Sequence, residues 1–242
     1  MRCNSDRLIE ALIAAQMMEY QLQQTETQND TKPPAPPVVT VSRNFGALGR
    51  EVAYLLADCL EVHCCDGYIL QEVARRADVD AALVKALDEH VSRLESHWWG
   101  ELLQRNTFNH DVYYRYLVKV VLSISRMGGV ILGRGAHIIL GKEKAFRVRI
   151  TGSLKQCAKR VAEREHLDLE QARRRIVEVD HERAEYVRRI YGSGVDDACM
   201  YDLVLNSDRY NREQMVELIL IAMQKSGYVL ADDVFTSLSQ LA

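Results

Sequence analysis

The stretch Val38-Val39-Thr40-Val41-Ser42-Arg43-Asn44-Phe45-Gly46-Ala47-Leu48-Gly49-Arg50-Glu51 decides the fold. Val38 to Val41 is a short β-branched run, which reads as a buried strand. A glycine-containing turn follows. From Gly49 the apolar residues Val52, Ala53, Leu56 and Leu60 recur at helical spacing. A strand feeding a glycine turn and then a helix leaves backbone N–H groups at the helix start, a geometry suited to phosphate. The pattern GxxxxGK[ST] is absent, and Arg50 stands about where its lysine would be. Arginine can hold phosphate through paired hydrogen bonds, with a different geometry from lysine. Taken alone, the loop is equally an ordinary strand-to-helix turn.

The same alternation continues along the chain. Further strands are expected at 61–65, 130–134, 146–150 and 202–205. Helices are expected at 49–60, 68–77, 81–90, 112–126, from Ser153 onward, from Asp168 to about Tyr191, and at 213–225. Ser153 with Gln156, and Asp168 with Gln171, carry the capping-box spacing. Cys64 and Cys65, if on a strand, point to opposite faces. Short buried strands alternating with helices imply an α/β fold with a mostly parallel sheet.

All four prolines lie between Pro33 and Pro37. This divides the chain into a helical extension (1–24), a proline-rich linker (25–37), a body (38–226) and a tail (227–242). Leu8, Ile9, Leu12, Ile13 and Met17 share one face of the N-terminal helix. That helix is a candidate for a protein partner or self-association. The tail has enough apolar residues to dock.

Composition excludes several functions. Net charge is −3, so no overall basic field holds nucleic acid. No apolar run reaches the roughly 18 residues of a membrane span. The six cysteines follow neither a zinc nor a disulfide spacing, and read as free thiols in a reducing cytoplasm.

In open α/β sheets ligands bind at the carboxyl ends of the strands. Arg43 to Glu51 follow the first strand, Asp66 the second, and Gly133-Arg134-Gly135 the third. An arginine after Val130-Ile131-Leu132 is poor core filler, because an unpaired buried charge is costly. Its flanking glycines would allow a ligand to come close. Asp180 and Arg183, three apart, share a helix face, with Arg188 and Arg189 beyond. Read alone, that helix is a solvated charged face.

The ordered set VVTVSRNFGALGRE, Cys65-Asp66, VILGRGAHIIL, FRVRITGSLKQCAKRVAERE, IVEVDHERAEYV and YDLVLNSD resembles the cytidylate kinase-like family, relatives of the P-loop nucleoside monophosphate kinases. The resemblance implies a three-layer P-loop kinase-like fold with a five-stranded sheet and a helical lid. It implies ATP- and Mg²⁺-dependent phosphoryl transfer to a nucleoside monophosphate, CMP first among them. By that likeness Arg43, Gly46, Ala47, Leu48, Gly49, Arg50 and Glu51 hold the donor phosphates. Asp66, Arg134, Asp180 and Arg183 serve the acceptor. Arg50, Arg134, Arg183 and Arg188 act on the reacting phosphate, and Arg160 and Arg189 belong to the lid. Asp202 comes from the strand after the lid. No metal ligands are assigned.

This sequence departs from the family pattern in places. Ala47-Leu48 replaces Ser-Gly in a loop usually written GSGGRE. Gly135 replaces the aspartate of a GRD motif, and Cys157 stands where arginine is frequent. Two alternatives follow: an inactive nucleotide-binding module with a regulatory role, and a kinase of another small metabolite.

Overall fold

The computed structural model describes residues 36–68, 70, 73 and 112–241. The helix expected at 7–24, most of 68–77, all of 81–90, and Trp98 and Trp99 lie outside these residues. Five strands form one sheet: β1 (Val38–Arg43), β2 (Cys64–Asp66), β3 (Gly129–Leu132), β4 (Phe146–Thr151) and β5 (Leu203–Asn206). Their order is β2-β3-β1-β4-β5, and every pairing is parallel. β1 is central, with Val41 opposite Leu132 on one side and Val148 on the other. A central parallel strand is covered on both faces, which is why Val38 to Val41 is an unbroken buried run rather than an alternating one.

The helices are α1 (Gly49–Cys59), α2 (Val112–Met127), α3 (Ala136–Lys144), α4 (Leu154–Glu165), α5 (Leu169–Tyr191), α6 (Arg212–Lys225) and α7 (Val234–Leu241). They divide into two layers. Val39, Val41, Cys64, Val130 and Ile150 face a core filled by α1, α4, α6 and α7. Val38, Cys65 and Ile131 face a second core with α2, α3 and the end of α5. Cys64 and Cys65 therefore do point to opposite faces. Cys59, Cys64, Cys65, Cys157 and Cys199 are free thiols.

Some boundaries differ from expectation for local reasons. β3 ends at Leu132, not at residue 134, because Gly133 and Arg134 both adopt positive φ and turn the chain out of the sheet. β2 begins at Cys64 because Glu61 also has positive φ and completes a turn. Helix α3 was not anticipated. Its entry residue is a glycine without a capping side chain, and Gly141 interrupts it with non-helical angles. The tail docks through α7, burying Val234 and Leu238 in the α1 layer. The linker's last residues also pack, since the Pro37 carbonyl accepts from the Gly129 N–H at 3.0 Å. Among the described residues no helix is long and apolar enough to cross a membrane.

Candidate functional site

A cleft of about 900 Å³ opens at the carboxyl ends of β1, β2 and β3. Its floor is the loop between β1 and α1. Gly46 has φ +79° and Leu48 has φ +61°, so the chain winds left-handed twice before α1 begins at Gly49. No side chain caps α1. The first N–H groups of a helix lack intrahelical acceptors, so this end is left for an anion.

Three contacts hold the loop. Arg160 donates from Nη1 to the Gly46 carbonyl (3.3 Å) and to Ser207 Oγ (3.1 Å), and from Nη2 to the Ser207 carbonyl (2.6 Å). It ties the loop to the turn after β5 and does not wall the cleft. Asp180 accepts from Asn44 Nδ2 at 2.9 Å and from the Phe45 N–H at 2.8 Å. The Phe45 ring lies 5.1 Å from the Arg164 guanidinium and 5.4 Å from that of Arg183. Helices α4 and α5 are thereby fastened to the loop between β1 and α1 by charge, hydrogen bonds and ring contact.

Seven arginines line the cleft: Arg43, Arg50, Arg134, Arg149, Arg164, Arg183 and Arg189. Burial and the nearby Arg183 push the Arg43 guanidinium down to about 9, with Arg134 acting in the same sense and Asp66 and Asp180 opposing. Arg183 is also lowered by burial, against the pull of Asp180, to which it donates at 3.4 Å. Arg134 donates from Nε to the Gly67 carbonyl at 3.3 Å and stacks over Tyr186 at 5.3 Å. Arg50 is mostly exposed. It donates to Asp66 Oδ2 at 3.2 Å and touches the Tyr54 hydroxyl, and that hydrogen bond holds its pKa above the ordinary value. Asp66 also accepts from Tyr54 and from the Tyr68 N–H.

Arg50, Arg134 and Arg183 thus share one cleft. Arg188 does not wall it: it pairs with Glu185 one turn back on α5 and is turned to solvent. Asp202 lies at the amino end of β5, bound by both the side chain and the backbone N–H of Arg147, away from the cleft. The glycines around Arg134 line the cleft and also make room for neighbouring side chains. A Cβ on Gly133 would stand 2.6 Å from Arg43 Nη1, and one on Gly135 would stand 2.1 Å from the Tyr191 ring.

A buried polar group beside the loop was not anticipated. His137, 2% exposed, faces Ser42 Oγ (3.2 Å) through Nδ1 and the Tyr201 hydroxyl (3.4 Å) through Nε2. Tyr201 donates to the Val195 carbonyl, so Nε2 carries the imidazole proton and Ser42 donates to Nδ1. Burial first, then Arg149 and Arg147, push His137 down to about 4. Arg149, itself buried, pairs with Asp196 at 3.0 Å. These residues sit inside strand and helix patterns that read as core, and only the topology brings them to one cleft. The described residues contain no cluster of three metal-binding side chains. Among the carboxylates lining the cleft, Glu51 lies in the first turn of α1 and Asp66 at the end of β2.

The parallel order β2-β3-β1-β4-β5, with a glycine-containing loop leaving the central strand for an uncapped helix, defines a parallel-sheet α/β protein. The chain belongs to the cytidylate kinase-like family, whose model matches residues 38–209. It is 34% identical over 78 residues to the cytidylate kinase of Methanopyrus kandleri, a match spanning 32% of this chain and 40% of that enzyme. It is 22% identical over 191 residues to the cytidylate kinase of Methanocaldococcus jannaschii, spanning 77% of this chain and 97% of that enzyme. The crystal structure of an uncharacterized protein from Eubacterium ventriosum ATCC 27560 has the same fold. It superposes with a TM-score of 0.64 at 21% identity, covering 78% of this chain and 99% of that one.

Proposed function

We propose that this protein transfers the terminal phosphoryl group of ATP to a nucleoside monophosphate, with CMP as the first acceptor. The observation that carries the reading is the convergence of seven arginines on one cleft beside an uncapped helix start. Five carboxylates share that wall, and three of them, Glu165, Glu182 and Glu185, belong to the lid helices.

In this reaction an acceptor phosphate oxygen forms a new P–O bond as the bond to the leaving diphosphate breaks, with no redox change. There is little covalent work for the protein, so positioning and charge stabilisation dominate. The backbone from Gly46 to Glu51 binds the donor phosphates, and Arg134 and Arg183 hold the acceptor phosphate. The α4–α5 lid, already latched to Phe45, keeps water from the transferred group. Mg²⁺ retains waters and takes most of its ligands from phosphates, so two carboxylates without a three-residue cluster fit it. Glu51 and Asp66 are the residues that would hold it, and it would neutralise phosphate charge.

The test incubates the protein with ATP, Mg²⁺ and a panel of nucleoside monophosphates while following ADP. Acceptor-dependent ADP release is expected, and Arg134→Ala should lower it by at least about a hundredfold while remaining folded. ATP binding in a thermal-shift assay without turnover would replace this reading with a nucleotide-binding regulatory module. Leu48 in a left-handed conformation and the Arg50–Asp66 pair favour that second reading. Turnover confined to a metabolite outside the panel would move the acceptor and keep the chemistry.

A further inference from the structure

Arg43 and Arg50 bracket the phosphate loop, and the structure treats them oppositely. Arg50 extends to the rim, where Asp66 and Tyr54 occupy it. Arg43 turns inward. Its Cβ and Cγ run over Gly49, where a Cβ would meet them at 2.5 and 2.7 Å, and its head reaches Gly133, just past the end of the neighbouring β3. Two glycines thus make a channel for one side chain. At its end the guanidinium lines the cleft, and no acceptor among the described residues takes a hydrogen bond from it. Asp66 and Asp180 are near enough to act on it electrostatically, yet their oxygens bond Arg50, Tyr54, Tyr68, Asn44, Phe45 and Arg183 instead. The other cations acting on Arg43 are Arg183 and Arg134.

We propose that Arg43, not Arg50, is the phosphate-loop cation that meets the phosphoryl group in transit, with Arg134 and Arg183 completing the shell. This inference rests on the kinase reading and names the residue that replaces the missing lysine. A half-buried guanidinium beside two like charges and without a hydrogen-bonded partner is costly unless a counter-charge arrives. A dianionic phosphate supplies that charge and matches the fork of donors. Arg50 is left a positioning role, orienting Asp66 at the rim. A pKa near 9 keeps Arg43 charged at neutral pH, ready for an anion.

The test uses the full chain and three variants, Arg43→Met, Arg43→Lys and Arg50→Met. Affinity for inorganic tripolyphosphate is read by calorimetry, ligand-free melting temperature by thermal shift, and turnover with ATP and CMP in parallel. Arg43→Met should lose at least about tenfold in tripolyphosphate affinity, Arg43→Lys part of that, and Arg50→Met less than about threefold. The ligand-free Arg43→Met variant should melt at or above the wild-type temperature, because a half-buried charge with no hydrogen-bonded partner has been removed. A lower ligand-free melting temperature for Arg43→Met would give the residue a structural role and overturn the proposal. So would a larger affinity loss for Arg50→Met than for Arg43→Met, with the kinase reading left standing. Wild-type protein that neither turns over nor binds tripolyphosphate would overturn both.

Discussion

The helices begin in two different ways. Away from the cleft, α4, α5 and α6 start with Ser153, Asp168 and Asn211, each accepting a hydrogen bond from a backbone N–H in the first turn. Asp168 and Asn211 form complete capping boxes with Gln171 and Gln214. At the cleft, α1 and α3 start with Leu48 and Gly135, both left-handed and neither offering a capping side chain. A missing cap costs about 1 kcal/mol. The difference teaches that helix-start donors are satisfied internally where the helix only has to fold. At the cleft no side chain does this: α3 satisfies Ala136 and Ile138 through the Gly133 and Gly135 carbonyls, and α1 is left without a side-chain cap.

The largest way to break the comparison is acid. His137 is the second residue of the uncapped α3 and faces Ser42 and Tyr201, with Arg149 and Arg147 nearby. Its pKa falls from 6.5 in the unfolded chain to about 4 in the fold. Between these values the unfolded state binds the proton and the native state does not. Stability from this group is therefore complete above pH 6.5 and is lost as pH falls toward 4, on the order of 3 kcal/mol in all. Urea unfolding at pH 7 and pH 4.5 checks this. His137→Gln should flatten the pH slope whatever its effect on stability at pH 7. An unchanged slope would mean that the cleft end of α3 is not hostile to added positive charge.

A smaller effect sharpens the other half. Asp168→Ala removes a complete capping box from α5 and should cost about 1 kcal/mol, a fall of roughly 2–4 °C in melting temperature. Turnover per folded molecule should stay at the wild-type level, because Asp168 caps the solvent-facing start of the lid helix. A selective loss of turnover would show that α5 is not merely held in place by its cap.

What was legible in the sequence follows the same division. Capped helices announce themselves: Asp168 and Gln171 located the start of α5, and Ser153 that of α4, although Gln156 supplies only the backbone half of its expected box. The β-branched run Val38 to Val41 located the central strand, and parallel order followed from the alternation. α1 also starts uncapped, but its apolar spacing shows it; α3 is short, uncapped and broken at Gly141, so it was missed, as were His137 and Arg149 on patterns that read as core. Gly133 and Gly135 line the cleft as their place after β3 implies, but sequence cannot say that Arg43 and Tyr191 also pack against them. Charged residues on α5 were equally ambiguous. Asp180, Arg183 and Arg189 turn toward the loop and cleft while Arg188 turns away, a difference set by helix rotation rather than by residue type.

The smallest expected effect, that of Leu48→Gly, isolates the entry residue itself. Leu48 is half-buried against the α1 layer yet held at φ +61°. A left-handed non-glycine residue costs about 1–2 kcal/mol. Glycine would relieve that cost but lose about 0.5–1 kcal/mol through the unfolded state, together with the leucine contacts. Leu48→Gly should therefore leave stability within about 0.5 kcal/mol of wild type by urea unfolding. Leu48→Ala keeps the strain and loses the contacts, and should fall by roughly 1–2 kcal/mol. The two variants separate strain from packing. If they fall equally, side-chain contact governs this position and the left-handed entry is a consequence of packing. If only alanine falls, the entry angle is what the loop maintains, and Leu48→Gly should bind ATP at least as well as the wild type.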